Sequence, residues 1–232
     1  MEAGPGPAAV NPWPLVGVLA LLTVTSLLNN VVAPGGYLLW VGVALAGLVL
    51  LAGADGLHRR DWGLGPLHRR AVLAALAFAA LTAVVMLVGT RGVSDAFIDS
   101  RVMNLSGGGI AFAALVRAPL GTAVFEEVAF RGILLAMLAG RFGMKWAVAG
   151  SSVAFGVWHV VPAYLLATGN EAVSAVLGAR PVWAAATGVV AAGLAGVFLC
   201  ILRNRYDHLI VPVAVHATAT SLGYLLAWLV VG

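Results

Sequence analysis

Glu126, Glu127 and Arg131 fall within six residues of one another inside an apolar stretch of this chain. An ionised side chain at the centre of a bilayer costs about 2.5–3.5 kcal/mol on insertion scales, so three of them unpaired would cost on the order of 8–10 kcal/mol. Neighbouring helices or trapped water must offset that cost. Glu127 and Arg131 are four apart, share a helical face and can pair directly. Glu126 lies about 100° further around the helix and has no partner on it. A carboxyl held that way is suited to taking and returning a proton.

Two histidines fall in other apolar stretches: His159, and His216 with Thr220 one turn later on the same face. At 1.5 Å per residue, Glu126 lies about 21 Å from Gly140 and His159 about 20 Å from Trp146, so the two reach similar depth. His216 comes out shallower, about 10 Å from Leu209, and contact requires helix tilt or a shorter lead into the helix. Burying such groups together costs least, so Glu126, His159 and His216 are expected to converge. A carboxylate and two imidazoles can hydrolyse a bond in two ways. In one, Glu126 and His159 hold a water, Glu126 takes its proton, and His216 and Thr220 donate to the developing oxyanion. In the other, Glu126, His159 and His216 ligate zinc, whose bound water attacks. No His-Glu-x-x-His motif is present to choose between them.

The segment Glu126-Glu127-Val128-Ala129-Phe130-Arg131 resembles the Glu-Glu-x-x-x-Arg motif of the CPBP intramembrane proteases, which include the Rce1-type CAAX prenyl endopeptidases and bacterial Abi proteins. Phe155-Gly156-Val157-Trp158-His159 resembles their Phe-x-x-x-His motif, and His216 resembles their third, a histidine followed four residues later by Asn or Asp. The resemblance covers roughly residues 110–231. It implies Glu126 as catalytic carboxylate, His159 as its water-holding partner, Glu127 with Arg131 as a supporting pair, and His216 at the oxyanion site. Thr220 stands where the family carries Asn or Asp. Its hydroxyl is shorter and bonds readily to the helix backbone.

The elements that must position these residues are membrane helices. Of 232 residues, 62% are hydrophobic and 9% charged, against roughly 25% charged in a soluble domain. That composition excludes a disordered chain, a nucleic-acid-binding domain and, with Cys200 alone, an internal disulfide. Seven apolar stretches are long enough to span a bilayer: about 14–33, 36–54, 71–90, 110–140, 145–167, 181–203 and 209–231. The fold class is therefore all-α: a polytopic membrane protein of about seven transmembrane helices, the polar site between spans four, five and seven. Residues 1–13, proline-rich, read as a flexible tail and 14–232 as one helical domain. Span four is too long for one straight crossing, and Pro119 predicts a kink or an interfacial lead-in.

Lys and Arg orient the chain. Arg59, Arg60, Arg69, Arg70, Arg141, Lys145, Arg203 and Arg205 fall on one side of a seven-span arrangement and Arg91, Arg101 and Arg180 on the other. By the positive-inside rule the N-terminus is cytoplasmic and the C-terminus outside. The abundance of Ala, Gly and Val and the preference for Arg over Lys point to a bacterial cell membrane. Trp13, Trp40, Trp146, Trp183 and Trp228 fall near span ends as interfacial anchors, while Trp158 reads equally as packing or as the wall of a polar site. Trp62, Leu64 and Leu67 read as an interfacial segment. Gly188, Ala192 and Gly196 predict close helix packing. His58, His68 and His208 read as solvated, Asn29 and Asn30 as interfacial caps, and Arg117 as snorkelling or paired. Asn104-Leu105-Ser106 matches a glycosylation sequon without bearing on the site.

The expected function is hydrolysis of a peptide bond in a membrane protein or lipidated peptide by a glutamate-activated water, with zinc as an open possibility and no nucleic-acid partner. The rival is a scaffold or bacteriocin-immunity-type protein that keeps the cluster for structure. A proton-coupled transporter is disfavoured, since no inverted repeat is visible.

Overall fold

The computed structural model describes residues 11–91, 102, 105–169 and 180–231. Residues 1–10, Arg101 and Asn104 of the sequence reading lie outside that range. Among the described residues there is no strand, and seven helices are long and apolar enough to cross a membrane: α1 (Trp13–Val32), α2 (Pro34–Ala54), α3 (Arg69–Thr90), α4 (Gly107–Phe142), α5 (Met144–Thr168), α6 (Pro181–Tyr206) and α7 (Ile210–Val230). The chain is an integral membrane protein. No Asp, Glu, Lys, Arg or His occurs from Trp13 to Ala54, and these helices present bulky apolar side chains such as Leu50, 74% exposed, to the surroundings. In water that surface would drive aggregation; in lipid it is the outer face.

Helix α1 packs on α2, and α2 on α4. Beyond Glu126 the two halves of α4 have different neighbours. Its first half packs on α7, which in turn packs on α3; its second half packs on α5, which packs on α6. The central core joins Val18, Val41 and Leu48 to Phe125, Phe130 and Phe155, so the first two helices buttress the helix that carries the carboxylates.

Pro119 does not interrupt α4. Ser106 caps its start by accepting from the Gly109 amide at 3.2 Å, and the helix then winds in a wider π form over Ala113–Val124 and Glu127–Leu134. Bonding to the fifth residue back shifts the carbonyl that the proline ring would meet in an α-helix. The winding, rather than a break, accommodates the proline, and it packs more residues into a given depth than the α-helical rise assumes. The break falls instead in α5, at His159. Pro162 cannot donate to the Trp158 carbonyl and its ring crowds that group, so the His159 amide turns to Gly156 at 3.0 Å.

Three surface assignments change. Asn29 is 4% exposed, in a π-helical turn at the end of α1, and is no cap; Asn30 donates back to the Ser26 carbonyl at 2.8 Å. Segment 55–68 does not lie free at the interface, because Trp62 is 7% exposed and its carbonyl abuts Gly132 of α4. Leu209 donates its amide to Gly63 at 2.9 Å and Arg203 donates to the Asp61 carbonyl at 3.0 Å. His208, 9% exposed, is buried under the same segment and accepts the Ile210 amide at 3.0 Å, capping α7. The tryptophan anchors Trp13, Trp146 and Trp183 are exposed as expected, and Arg117 sits over the Tyr37 ring, 4.3 Å from its centroid.

Candidate active site

Helices α4, α5 and α7 bring the ionisable residues together. Glu127 and Arg131 are fully buried and pair at 3.0 Å, as their spacing predicts. The guanidinium also lies 3.8 Å from the centroid of the Phe155 ring. Gly196 of α6 makes room for it: a Cβ there would stand 3.3 Å from one guanidinium nitrogen and 3.1 Å from the Ser152 backbone. The small-residue face of α6 is thus the place where α5 and the arginine approach.

Glu126 is 4% exposed. One carboxylate oxygen, Oε1, accepts from Trp158 Nε1 at 2.9 Å, so the tryptophan is part of the polar site and not mere packing. Oε2 has no protein partner. It faces Nε2 of His159 and Nε2 of His216, each at 3.8 Å. That is too long for a direct hydrogen bond and leaves room for a water that touches all three.

Both imidazoles are fixed from behind. His159 Nδ1 lies 2.8 Å from the Phe155 carbonyl, which can only accept, so Nδ1 carries the proton and Nε2 of the neutral ring presents a lone pair. The helix break makes this bond available, since the displaced His159 amide no longer uses that carbonyl. His216 Nδ1 lies 2.8 Å from Glu127 Oε1, again as donor. The Glu127–Arg131 pair therefore orients the histidine of a different helix. Depth is no obstacle to His216, because α7 starts below the border: Leu209 is buried beside Gly132 of α4, which lies six residues beyond Glu126, and His216 lies seven beyond Leu209.

Thr220 does not reach the carboxylates. Its hydroxyl lies 2.9 Å from the His216 carbonyl and 3.3 Å from that of Ala217 and donates to the helix backbone. Phe155 and Trp158 are the contributors that spacing alone did not assign. Their signal was the aromatic placement one turn and one residue before His159, together with Pro162. The side chain of His159 is 25% exposed and that of His216 10%, so the site opens on the His159 side.

Zinc would need the three side chains to draw closer. A tetrahedral site with bonds near 2.1 Å has ligand atoms about 3.4 Å apart, closer than the 3.8 Å separations here. Among the described residues no group of three or more His, Cys, Asp or Glu side chains is placed to hold a metal ion.

Residues 108–222 match the family described as type II CAAX prenyl endopeptidase Rce1-like. Through that stretch, which contains Glu126, Glu127, His159 and His216, the chain belongs to the Rce1-like family of membrane proteases. No curated protein and no solved structure matches the chain.

Proposed function

We propose that the protein is an intramembrane endopeptidase in which Glu126 activates a water against a peptide bond of a membrane protein or lipidated peptide. One observation carries this reading: Glu126 Oε2, buried and without a protein partner, faces two imidazole nitrogens whose orientation is fixed by Phe155 and Glu127. A structural cluster would saturate that oxygen; a hydrolytic site must leave it for water.

The water sits between Glu126 Oε2 and His159 Nε2. Glu126 takes its proton while the oxygen attacks the carbonyl carbon, and the carbonyl π electrons move to oxygen. With Arg131 and His216 cationic and Glu126 and Glu127 anionic, the cluster is neutral. His216 then donates from Nδ1 to Glu127 and from Nε2 to the oxyanion. Collapse of the tetrahedral intermediate breaks the C–N bond, and the proton held by Glu126 passes to the leaving amine. Trp158 keeps Oε1 occupied, so that Oε2 is the basic atom. Zinc, if it enters, would be held by Glu126, His159 and His216 and would polarise the same water.

The basic residues that gather at one end support a cytoplasmic N-terminus and an outer C-terminus, and the Arg-, Ala- and Gly-rich composition supports a bacterial cell membrane. The test is cleavage of membrane-anchored peptides by the purified protein in liposomes. Glu126→Gln and His159→Ala are expected to abolish it, and activity that survives both substitutions overturns the proposal. Chelator treatment followed by metal analysis separates the two routes: unchanged activity in metal-free protein supports the glutamate route.

A further inference from the structure

Away from the polar site, a shallow, open cavity lies at the basic end of the molecule between the start of α3 and the end of α6, lined by Arg69, Arg70, Leu73, Ala74, Ala77 and Tyr206. Its rim is cationic. Arg70 lies 5.5 Å and Arg205 5.9 Å from the centroid of the Tyr206 ring, and Phe78 packs edge-on against that ring at 6.1 Å. Among the described residues no carboxylate pairs with Arg69, Arg70 or Arg205. This contrasts with Arg131, Arg141 and Arg203, each of which has its own acid.

Below the rim the floor is apolar, made by Leu73, Ala74 and Ala77 along α3. Arg69 is the first residue of one membrane-crossing helix and Tyr206 the last of another, so the cavity straddles the border between headgroups and hydrocarbon. We propose that it is a binding site for an anionic diacyl phospholipid. The phosphate is held by the guanidinium groups of Arg69, Arg70 and Arg205, and an acyl chain lies along Leu73, Ala74 and Ala77. Charge selects the headgroup, because an unpaired arginine trio gains from a net negative lipid what a zwitterion returns only in part. The apolar floor selects a lipid over a soluble anion, because exposed Leu73 and Ala77 offer nothing polar to water and fit a hydrocarbon chain.

The proposal is independent of the catalytic reading and is tested on the whole protein in mild detergent by native mass spectrometry, titrating phosphatidylglycerol, phosphatidylcholine and inorganic phosphate separately. Phosphatidylglycerol is expected to bind at least 10-fold more tightly than phosphatidylcholine, with each surface arginine contributing about one kcal/mol to an anionic lipid. Replacing Arg69, Arg70 and Arg205 together by Gln should weaken it about 100-fold by the same measure. Replacing Arg59 and Arg60 by Gln at the same end removes charge outside the cavity and should change affinity less than 3-fold. Ala77→Phe fills the floor and keeps every charge; it should also abolish tight binding, and it carries the test if the arginine variant does not fold. Equal affinity for the two lipids, an equal loss in the Arg59/Arg60 variant, full binding by Ala77→Phe, or displacement by inorganic phosphate alone would each overturn the assignment.

Discussion

Of the three arginines on helix α4, Arg131 and Arg141 stand ten residues apart, each paired with a carboxylate, and the two pairs are built in opposite ways. At the basic end both terminal nitrogens of Arg141 are saturated. It binds both oxygens of Asp55, donates to the Met137 carbonyl at 2.9 Å and reaches the Asn11 carbonyl at 2.9 Å. In the interior Arg131 makes one hydrogen bond, to Glu127, and its Nε and second terminal nitrogen have none. Glu127 Oε2 and Glu126 Oε2 are likewise without protein partners. The saturated pair ties α4 to α2 and to the chain before α1. The unsaturated one holds polar capacity in a low-dielectric setting, where each open donor or acceptor costs about 1–3 kcal/mol. Two arginine–carboxylate pairs on one helix thus separate a clamp from a site by what they leave unbonded.

The sharpest way to break that contrast is at Glu126. Glu126→Gln should lower kcat about 10³-fold, within the range for a general base, while the midpoint of thermal unfolding in detergent stays within a few degrees. A variant that loses stability and keeps turnover would make the interior cluster structural after all. Next come the two arginines. Arg131→Met leaves Glu127 buried and uncompensated, which costs about 3–5 kcal/mol, and should also remove activity by releasing His216. Arg141→Met should cost about 2 kcal/mol and leave kcat per folded molecule unchanged. Calorimetry paired with active-site titration distinguishes these outcomes; equal activity losses in the two variants would erase the distinction.

Trp158→Phe keeps the ring packing and deletes only the N–H. A hydrogen bond to a charged group contributes about 1.5–3 kcal/mol, so kcat should fall about 10- to 100-fold with KM unchanged. In a Glu126→Gln background the same change should add nothing, whereas a purely structural tryptophan would act equally in both.

Smaller effects come from the docked loop and from Thr220. Burial under segment 55–68 pushes the His208 pKa below its ordinary 6.5, although a backbone hydrogen bond to Gly65 partly opposes this. The unfolded chain takes up that proton first. The stabilising contribution is therefore complete above pH 6.5 and is lost as pH falls through the lower folded value. Unfolding midpoints measured from pH 8 to 5 should show that decline and lose it in His208→Gln. Thr220→Ala should change kcat less than about 3-fold, since its hydroxyl already serves the backbone; Thr220→Asn, with a longer donor, should raise it a few-fold.

The sequence made the spans legible because lipid demands long apolar runs, and it made the Glu127–Arg131 pair legible because helical spacing is local. The convergence of Glu126 and His159 followed from depth arithmetic on two helices. Other features escaped that arithmetic. His216 comes out too shallow because its depth is counted from Leu209 as if that residue stood at the membrane border, whereas Leu209 lies buried beside Gly132. Pro162 was passed over, although it sets the break that frees the Phe155 carbonyl for His159. Asn29, Trp62 and His208 were read as surface residues because their burial depends on segments distant in sequence folding back over them.

The placement of the partners also orders the making of the protein. Glu127 and Arg131 lie on the same helix and neutralise one another as soon as α4 forms. Glu126 has no such company at birth: Trp158 and His159 arrive with the next helix, and His216 only with the last. A nascent chain therefore carries one uncompensated carboxyl through the interval between the synthesis of α4 and that of α7. A ribosome stalled before Ile210 should leave a product whose fourth helix is held loosely in the bilayer and is open to quality-control proteases, because α7 brings His216 to the carboxylates as well as a wall to the site.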